Sequence, residues 1–127
     1  MEHLPFLDQV VAVLERSGYR IVLPKCDQEL NDAIPANGLV IFHAPWSMYS
    51  CKNLGAIAAT VRKCRKALER IVIVPVDDIS SQTSISILGV VPQGYAEAVL
   101  LRNGKVQVAH RRSTDLEQFL AALSQPG

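Results

Sequence analysis

The stretch Gly38-Leu-Val-Ile-Phe-His-Ala-Pro-Trp-Ser-Met-Tyr-Ser-Cys-Lys52 decides the fold of this chain of 127 residues. It begins with an apolar run from Leu39 to Phe42, which is short enough and β-branched enough to predict a buried strand. An aromatic turn around Trp46 follows, and a helical pattern begins at about Ser50. The succession of strand, turn and helix predicts an α/β protein organised around this turn.

Composition and charge exclude several classes of protein. Hydrophobic residues make up 49% of the chain and charged residues 20%, which is typical of a globular protein. The 13 basic and 12 acidic side chains give a net charge of +1. No field of one sign is therefore available to hold a polyanion, and we expect no nucleic-acid partner. No apolar run approaches the roughly 20 residues that span a bilayer, so we expect no membrane partner.

The cysteines indicate a reducing compartment. Cys26, Cys51 and Cys64 are odd in number and irregularly spaced, which predicts no disulfide framework. The N-terminus lacks a basic flank followed by an apolar stretch, so we expect no secretory signal and a cytoplasmic location. No pair of cysteines has zinc-ligand spacing and the three histidines are scattered, so we expect no metal and no other cofactor.

Apolar periodicity predicts the other elements. The first half of the chain is expected to form a helix over residues 5–17, a strand over 19–23, a helix over 27–34 capped by Asp27, a strand over 39–42 and a long helix over 50–69. The second half is expected to form a strand over 71–76, a connector or short helix capped by Asp78 or Ser80, a hairpin around Asn103-Gly104, and a last helix opened by the capping box Thr114-Asp-Leu-Glu117.

The run around the turn resembles the active-site signature of thioredoxins, in which a buried strand ends in Phe-x-Ala-x-Trp and continues into Cys-x-x-Cys-Lys. Phe42, Ala44 and Trp46 fit this pattern without a gap. Ser47 and Ser50 then fall where the two cysteines should be. The resemblance therefore suggests a thioredoxin-like protein that lacks the cysteine pair.

The resemblance covers roughly residues 19–124 and implies a thioredoxin-like fold, with a central mixed sheet flanked by helices and an extra N-terminal helix. We expect a single domain over residues 1–127, in which 1–18 form the helical extension and 19–127 the core. Thioredoxins also carry a cis-proline that faces the cysteines. Counting forward from Asp77 places Pro92 there, whereas counting back from Asn103 places Ala96 there.

The two serines cannot perform dithiol exchange, because that reaction needs two sulfur atoms. Ser47 and Ser50 are instead expected to form a helix N-cap and a solvated turn. An enzymatic alternative depends on Cys51, which lies in the first helical turn beside Lys52, where the helix dipole and the cation favour a thiolate. Cys51 would then act as a monothiol oxidoreductase or redox sensor; otherwise it is a small packed residue. Enzyme activity is the less favoured interpretation.

The turn favours contact with a protein partner. Trp46, Met48 and Tyr49 cannot all point into the core, and exposed aromatic and methionine side chains favour protein contacts. The alternative is that the turn folds back over Pro92 and Tyr95. The candidate partner-binding residues are Trp46, Ser47, Met48, Tyr49, Ser50 and Pro92. Together with the sheet edge, they are expected to recognise an extended peptide.

The favoured function is that of a redox-inactive binding or chaperone-like module. Residues 6–38 also resemble the entry segment of the accessory chaperones of bacterial hydrogenase maturation, which implies a hydrogenase subunit precursor or its export signal as partner. A second alternative is an inhibitor or immunity protein on the same fold. Its first helix, over 4–16, would serve as a docking or homodimer surface.

Two further groups are expected to be structural. The basic side chains between Arg62 and Arg70 are interpreted as a solvated face. Asp77-Asp78, at the end of a strand, is interpreted as a turn and cap rather than as a pair of catalytic carboxylates. His43, close to the serines, has no acidic partner in the sequence and is not assigned a catalytic role.

Overall fold

The computed structural model describes residues 5–125. The helices are α1 (Phe6–Arg16), α2 (Asp27–Ala33), α3 (Met48–Cys64), α4 (Ser81–Leu88) and α5 (Leu116–Ser124), and a 3-10 turn at Ser113–Asp115 precedes α5. The strands are β1 (Ile21–Val22), β2 (Gly38–His43), β3 (Ile71–Pro75), β4 (Ala98–Arg102) and β5 (Lys105–His110).

The five strands form one mixed sheet in the order β1-β3-β2-β4-β5. β1, β3 and β2 run parallel, whereas β4 runs antiparallel to β2 and β5 antiparallel to β4. In the centre of the sheet, Val40 pairs with Val72 on one side and with Val99 on the other. The predicted α/β architecture with a central mixed sheet and an N-terminal helix is confirmed.

Helices cover both faces of the sheet. α1, α3 and α5 pack on the face that carries Leu39 and Ile41, whereas α2 and α4 pack on the face that carries Val40 and Phe42. Because alternate side chains of a strand point to opposite faces, covering both faces buries every residue of β2. The turn that follows β2 therefore begins from a strand that is buried along its whole length.

The hairpin predicted from Asn103-Gly104 is confirmed. Asn103 and Gly104 both have positive φ, at 53° and 78°, which is the geometry that a two-residue hairpin turn of type I′ requires. Ser80 is confirmed as the N-cap of α4, since its Oγ accepts a hydrogen bond from the Thr83 amide.

Three local predictions were wrong. α3 ends at Cys64 rather than Glu69, because Arg65 adopts the left-handed conformation (φ 49°) and its amide bonds back to the end of the helix. The strand predicted over 19–23 is limited to Ile21–Val22. The N-cap position of α2 is Cys26 rather than Asp27.

The Asp27 carboxylate instead serves α4. It accepts hydrogen bonds from the Ser80 amide and the Thr83 hydroxyl, each at 2.9 Å, and these bonds lower the pKa of Asp27. The capping box at Thr114 was also wrong. Asp115 takes its place, with its carboxylate accepting from the amides of Arg111 and Arg112, and α5 begins after it.

Candidate functional site

The segment from the end of β2 into the first turn of α3, here called the Trp46 turn (residues 44–50), is held in place by hydrogen bonds of Ser47. Ser47 is the N-cap of α3, as predicted, and its Oγ accepts a hydrogen bond from the Ser50 amide at 3.2 Å. The same hydroxyl donates to the Gly94 carbonyl at 2.6 Å. Ser47 therefore holds the start of α3 and also ties it to the loop that precedes β4.

The second serine is buried, so the prediction of a solvated turn was wrong for Ser50. Its Oγ accepts a hydrogen bond from the Ala44 amide at 2.9 Å and lies 2.9 Å from Nδ1 of His43. Ser50 is 0% exposed and His43 is 1% exposed, and burial lowers the pKa of His43. A serine and a histidine in contact could suggest a nucleophile and its base. This hydroxyl is already occupied and closed to solvent, so the pair is structural.

The loop before β4 has its main chain held by buried polar side chains. The Glu97 carboxylate, fully buried, accepts hydrogen bonds from the amides of Gln93 at 2.7 Å and Tyr95 at 3.3 Å. The Tyr95 carbonyl accepts from Nδ2 of Asn53 at 2.9 Å and lies 3.0 Å from Nε2 of His110. Glu97, Asn53 and His110 were not among the candidate site residues predicted from the sequence.

His110 connects this loop to the start of α5. Its Nδ1 lies 2.6 Å from Oδ1 of Asp115, while Nε2 faces the Tyr95 carbonyl. Both ring nitrogens of His110 therefore lie within hydrogen-bond distance of an oxygen atom of the chain. Burial raises the pKa of Asp115, but hydrogen bonds from His110 and from the amides of Arg111 and Arg112 outweigh it, and the net effect lowers the pKa.

Pro92 is not a cis-proline, because no peptide bond between residues 5 and 125 is cis. The chain reaches β4 through Gly94 and Ala96, which have positive φ values of 90° and 58°. A Cβ atom at position 94 would lie 3.2 Å from the Trp46 ring, so glycine suits both the backbone and the contact. A positive φ is unfavourable for alanine, and the buried hydrogen bonds around Ala96 hold its backbone in that conformation.

The large side chains of the Trp46 turn are exposed, as predicted. Trp46 is 66% exposed, Met48 86% and Tyr49 64%. Trp46 donates from Nε1 to the Asp77 carboxylate at 3.2 Å, and the Tyr49 ring lies 5.8 Å from that of Tyr95. These contacts orient the aromatic rings without removing them from solvent. Polar side chains that stabilise the fold by hydrogen bonds thus lie beneath exposed side chains, those of Trp46, Met48 and Tyr49, that do not pack in the core.

The three cysteines are unpaired. Cys51 is partly exposed in the first turn of α3, Cys64 is also partly exposed, and Cys26 is exposed. Within residues 5–125, no group of three or more His, Cys, Asp or Glu side chains is placed to hold a metal ion. None of the helices in that part of the chain is both long and apolar enough to cross a membrane.

Comparison with known proteins supports the fold. No family model matches the sequence, and no curated protein does so. Among solved structures, the thioredoxin of Malassezia sympodialis is similar with a TM-score of 0.53 and 12% identity, over 84% of this chain and 93% of that one. Schistosoma mansoni thioredoxin has a TM-score of 0.51 and 18% identity, over 82% and 98% of the two chains. Plasmodium falciparum thioredoxin has a TM-score of 0.51 and 20% identity, over 80% and 97%. The chain therefore has a thioredoxin-like fold.

Proposed function

We propose that this protein is a binding module that contacts a protein partner through the Trp46 turn and performs no dithiol exchange. The observation that carries the proposal is the combination found in that turn. Both serine hydroxyls are engaged in hydrogen bonds, whereas Trp46, Met48 and Tyr49 are each more than half exposed. Large exposed side chains on a rigid support are typical of protein contact sites.

The contacts of the neighbouring loop favour recognition by side chains. An extended peptide that adds to a sheet or loop needs free main-chain donors and acceptors. Here the amides of Gln93 and Tyr95 and the carbonyls of Gly94 and Tyr95 already have partners within the chain. We therefore favour a partner that buries the three exposed side chains of the turn over one that pairs with this loop as a strand.

Trp46 provides a direct test because it is the only tryptophan in the chain. Titration with a reduced, unfolded model polypeptide should shift the Trp46 emission to shorter wavelength as the indole leaves water. The double variant Met48→Ala/Tyr49→Ala keeps the reporter and should weaken binding about tenfold or more, as expected when contact residues are truncated.

The matched control is Ile85→Ala, which removes a similarly exposed apolar side chain (48%) from α4. It should leave the affinity unchanged. Equal losses in the two variants would mean that binding is unspecific. An unchanged affinity in the double variant would remove the turn from the binding site.

The absence of thiol chemistry is tested separately by a disulfide-reduction assay with dithiothreitol as the electron source. We expect the rate of insulin reduction to equal the uncatalysed rate, and Cys51→Ser to change nothing. A rate above background that disappears in Cys51→Ser would favour the monothiol alternative, for which the position of Cys51 in the first turn of α3 is the supporting observation. The hydrogenase-maturation chaperone is a narrower form of the same proposal, whereas the inhibitor or immunity protein, which would dock through its first helix, is a separate alternative.

A further inference from the structure

A cavity of about 630 Å³ lies at the C-terminal end of α3, far along the helix from the Trp46 turn. Three of its lining residues are cationic and none is acidic. The lining consists of Ser17, Gly18, Tyr19, Arg62, Arg65, Lys66, Ala67 and Leu68. Its volume lies in the range of small-molecule sites, roughly 300–1,000 Å³. We call it the basic cavity.

The positive charge of the basic cavity is not neutralised within the described chain. Over residues 5–125, no carboxylate forms an ion pair with Arg62, Arg65 or Lys66. Glu69, the nearest acidic residue in the sequence, pairs with Arg70 at 3.2 Å instead. The expected solvated basic face is therefore a concave surface on which the charges converge.

The cations are not needed to cap the helix, although cations often stabilise a helix C-terminus. The Tyr19 hydroxyl donates to the Lys66 carbonyl at 2.7 Å and lies 3.1 Å from the Val61 carbonyl. The amides of Arg65 and Lys66 bond to the carbonyls of Arg62 and Val61. The Val61 and Arg62 carbonyls in the last turn of α3 therefore have donors without using a guanidinium group.

Lys66 is the most buried of the three cations that line the basic cavity. The residue is only 7% exposed, and its Nζ donates to a neutral acceptor, the Gln125 carbonyl, at 2.8 Å. Burial lowers the pKa of Lys66, and the nearby positive charge of Arg102 lowers it further. Within residues 5–125 no carboxylate pairs with this ammonium group. A buried charge without a partner is costly, and an anion in the adjacent cavity would offset that cost.

We propose that the basic cavity binds a multiply charged phosphate group, either as pyrophosphate or as the diphosphate part of a small molecule. Arg62 and Arg65 can each present paired N–H donors to phosphate oxygens, and Lys66 adds a point charge. The cavity is larger than a phosphate group, and Tyr19 and Leu68 offer apolar surface to the remainder of such a ligand. This inference does not depend on the function proposed for the Trp46 turn.

The test is a calorimetric titration of the full chain with pyrophosphate at constant ionic strength. We expect saturable binding that Arg65→Gln weakens about tenfold, which is the effect of losing a charge-assisted contact. Arg62→Gln should act similarly. The control is Lys63→Gln, which removes the same charge from the same helix but outside the cavity lining. It should change the affinity less than about twofold, the effect of a screened distant charge.

A second readout locates the ligand. Pyrophosphate should shift the backbone amide resonances of Gly18 and Lys66, while those of Met48 and Tyr49 stay in place. Since Arg62 and Arg65 are exposed, their replacement should leave the fold intact, which circular dichroism can verify. A titration without saturable heat would overturn the proposal. An equal loss in Lys63→Gln would also overturn it, because it would reduce the effect to general surface charge.

Discussion

The two ends of α3 expose opposite kinds of side chain to solvent, apolar ones at the N-terminal end and cationic ones at the C-terminal end. At the N-terminal end, Ser47 and Ser50 are bonded within the chain, and apolar side chains such as Met48 project into water. At the C-terminal end, the Tyr19 hydroxyl donates to the Lys66 carbonyl, and the cations of the basic cavity lack carboxylate partners in the described chain. Each end therefore exposes groups that the fold does not require. The difference indicates that one helix can carry an apolar contact site and a polar one without interference.

The largest expected effect on stability comes from removing the Glu97 carboxylate, which holds the loop that contacts the N-terminal end of α3. Glu97→Ala leaves the amides of Gln93 and Tyr95, whose hydrogen bonds are partly buried, without their acceptor. An unsatisfied buried group costs roughly 1–3 kcal/mol, and about 1.5 kcal/mol for each of these two partly buried amides should lower the free energy of unfolding by about 3 kcal/mol. Urea denaturation of Glu97→Ala measures it, with the exposed Glu117→Ala as control. A loss no greater than that of the control would show that water replaces the carboxylate.

The substitutions Ser50→Ala and Ser47→Ala should have the next largest effects on stability. The two effects should differ, because only Ser50 is fully buried. Ser50→Ala removes the acceptor of the Ala44 amide inside the protein and should cost about 2 kcal/mol of unfolding free energy. Ser47→Ala removes an N-cap and should cost about 1 kcal/mol. Thermal or urea denaturation of both variants gives the order. The reverse order would mean that the bond from Ser47 to Gly94 is the stronger support.

Lowering the pH below 7 should reduce the free energy of unfolding through His43, which contacts Ser50 at the N-terminal end of α3. Burial lowers the pKa of His43, so the unfolded chain takes up a proton that the folded chain excludes. Stability from this histidine is complete above its ordinary pKa of about 6.5 and is lost as the pH falls from there towards the folded value. The slope can reach about 1.4 kcal/mol per pH unit.

The measurement is the free energy of unfolding at a series of pH values below 7, for the wild type and for His43→Asn. The variant should lose the slope that begins near pH 6.5, whatever its absolute stability. An unchanged slope would assign the proton uptake to another group. Asp115 contributes only at lower pH, because its lowered pKa means that its stabilisation is lost as the pH falls below the ordinary carboxyl range.

The substitution with the smallest expected effect on stability should still weaken binding. Met48→Ala removes a side chain that is 86% exposed, so the free energy of unfolding should change by less than about 0.5 kcal/mol. The same substitution should reduce affinity in the Trp46 fluorescence titration. A destabilisation beyond that range would show that Met48 has packing contacts, and its loss of binding could then reflect altered structure.

The fold was predictable because its signals are local. The run from Leu39 to Phe42 is apolar over its length, and Asn103-Gly104 specifies its own turn. Burial on both faces of a parallel strand leaves a pattern that a single sequence can show. The exposure of Trp46 and its neighbours was predictable for a similar reason, since too many large side chains occupy one turn.

The contacts that organise the site were not predictable because they join distant residues. Asn53 reaches the Tyr95 carbonyl across 42 positions, and Ser47 reaches Gly94 across 47. Glu97 offered a signal, an acidic residue directly before an apolar strand, but its partners depend on a loop with positive φ at Ala96. The burial of Ser50 depends likewise on the strand and helix closing around it. Conformations of this kind are determined by tertiary packing, and they produce no periodic pattern of apolar residues in the sequence.

The bond between Asp27 and the start of α4 has a consequence for folding. α4 has eight residues, fewer than a helix needs to persist alone in water. Its first turn is held by a carboxylate 53 positions earlier in the chain, at the beginning of α2. The two helices should therefore open and close as one cooperative unit on their face of the sheet, with similar protection from hydrogen exchange. The opposite face, which carries both ends of α3, would remain closed during those openings.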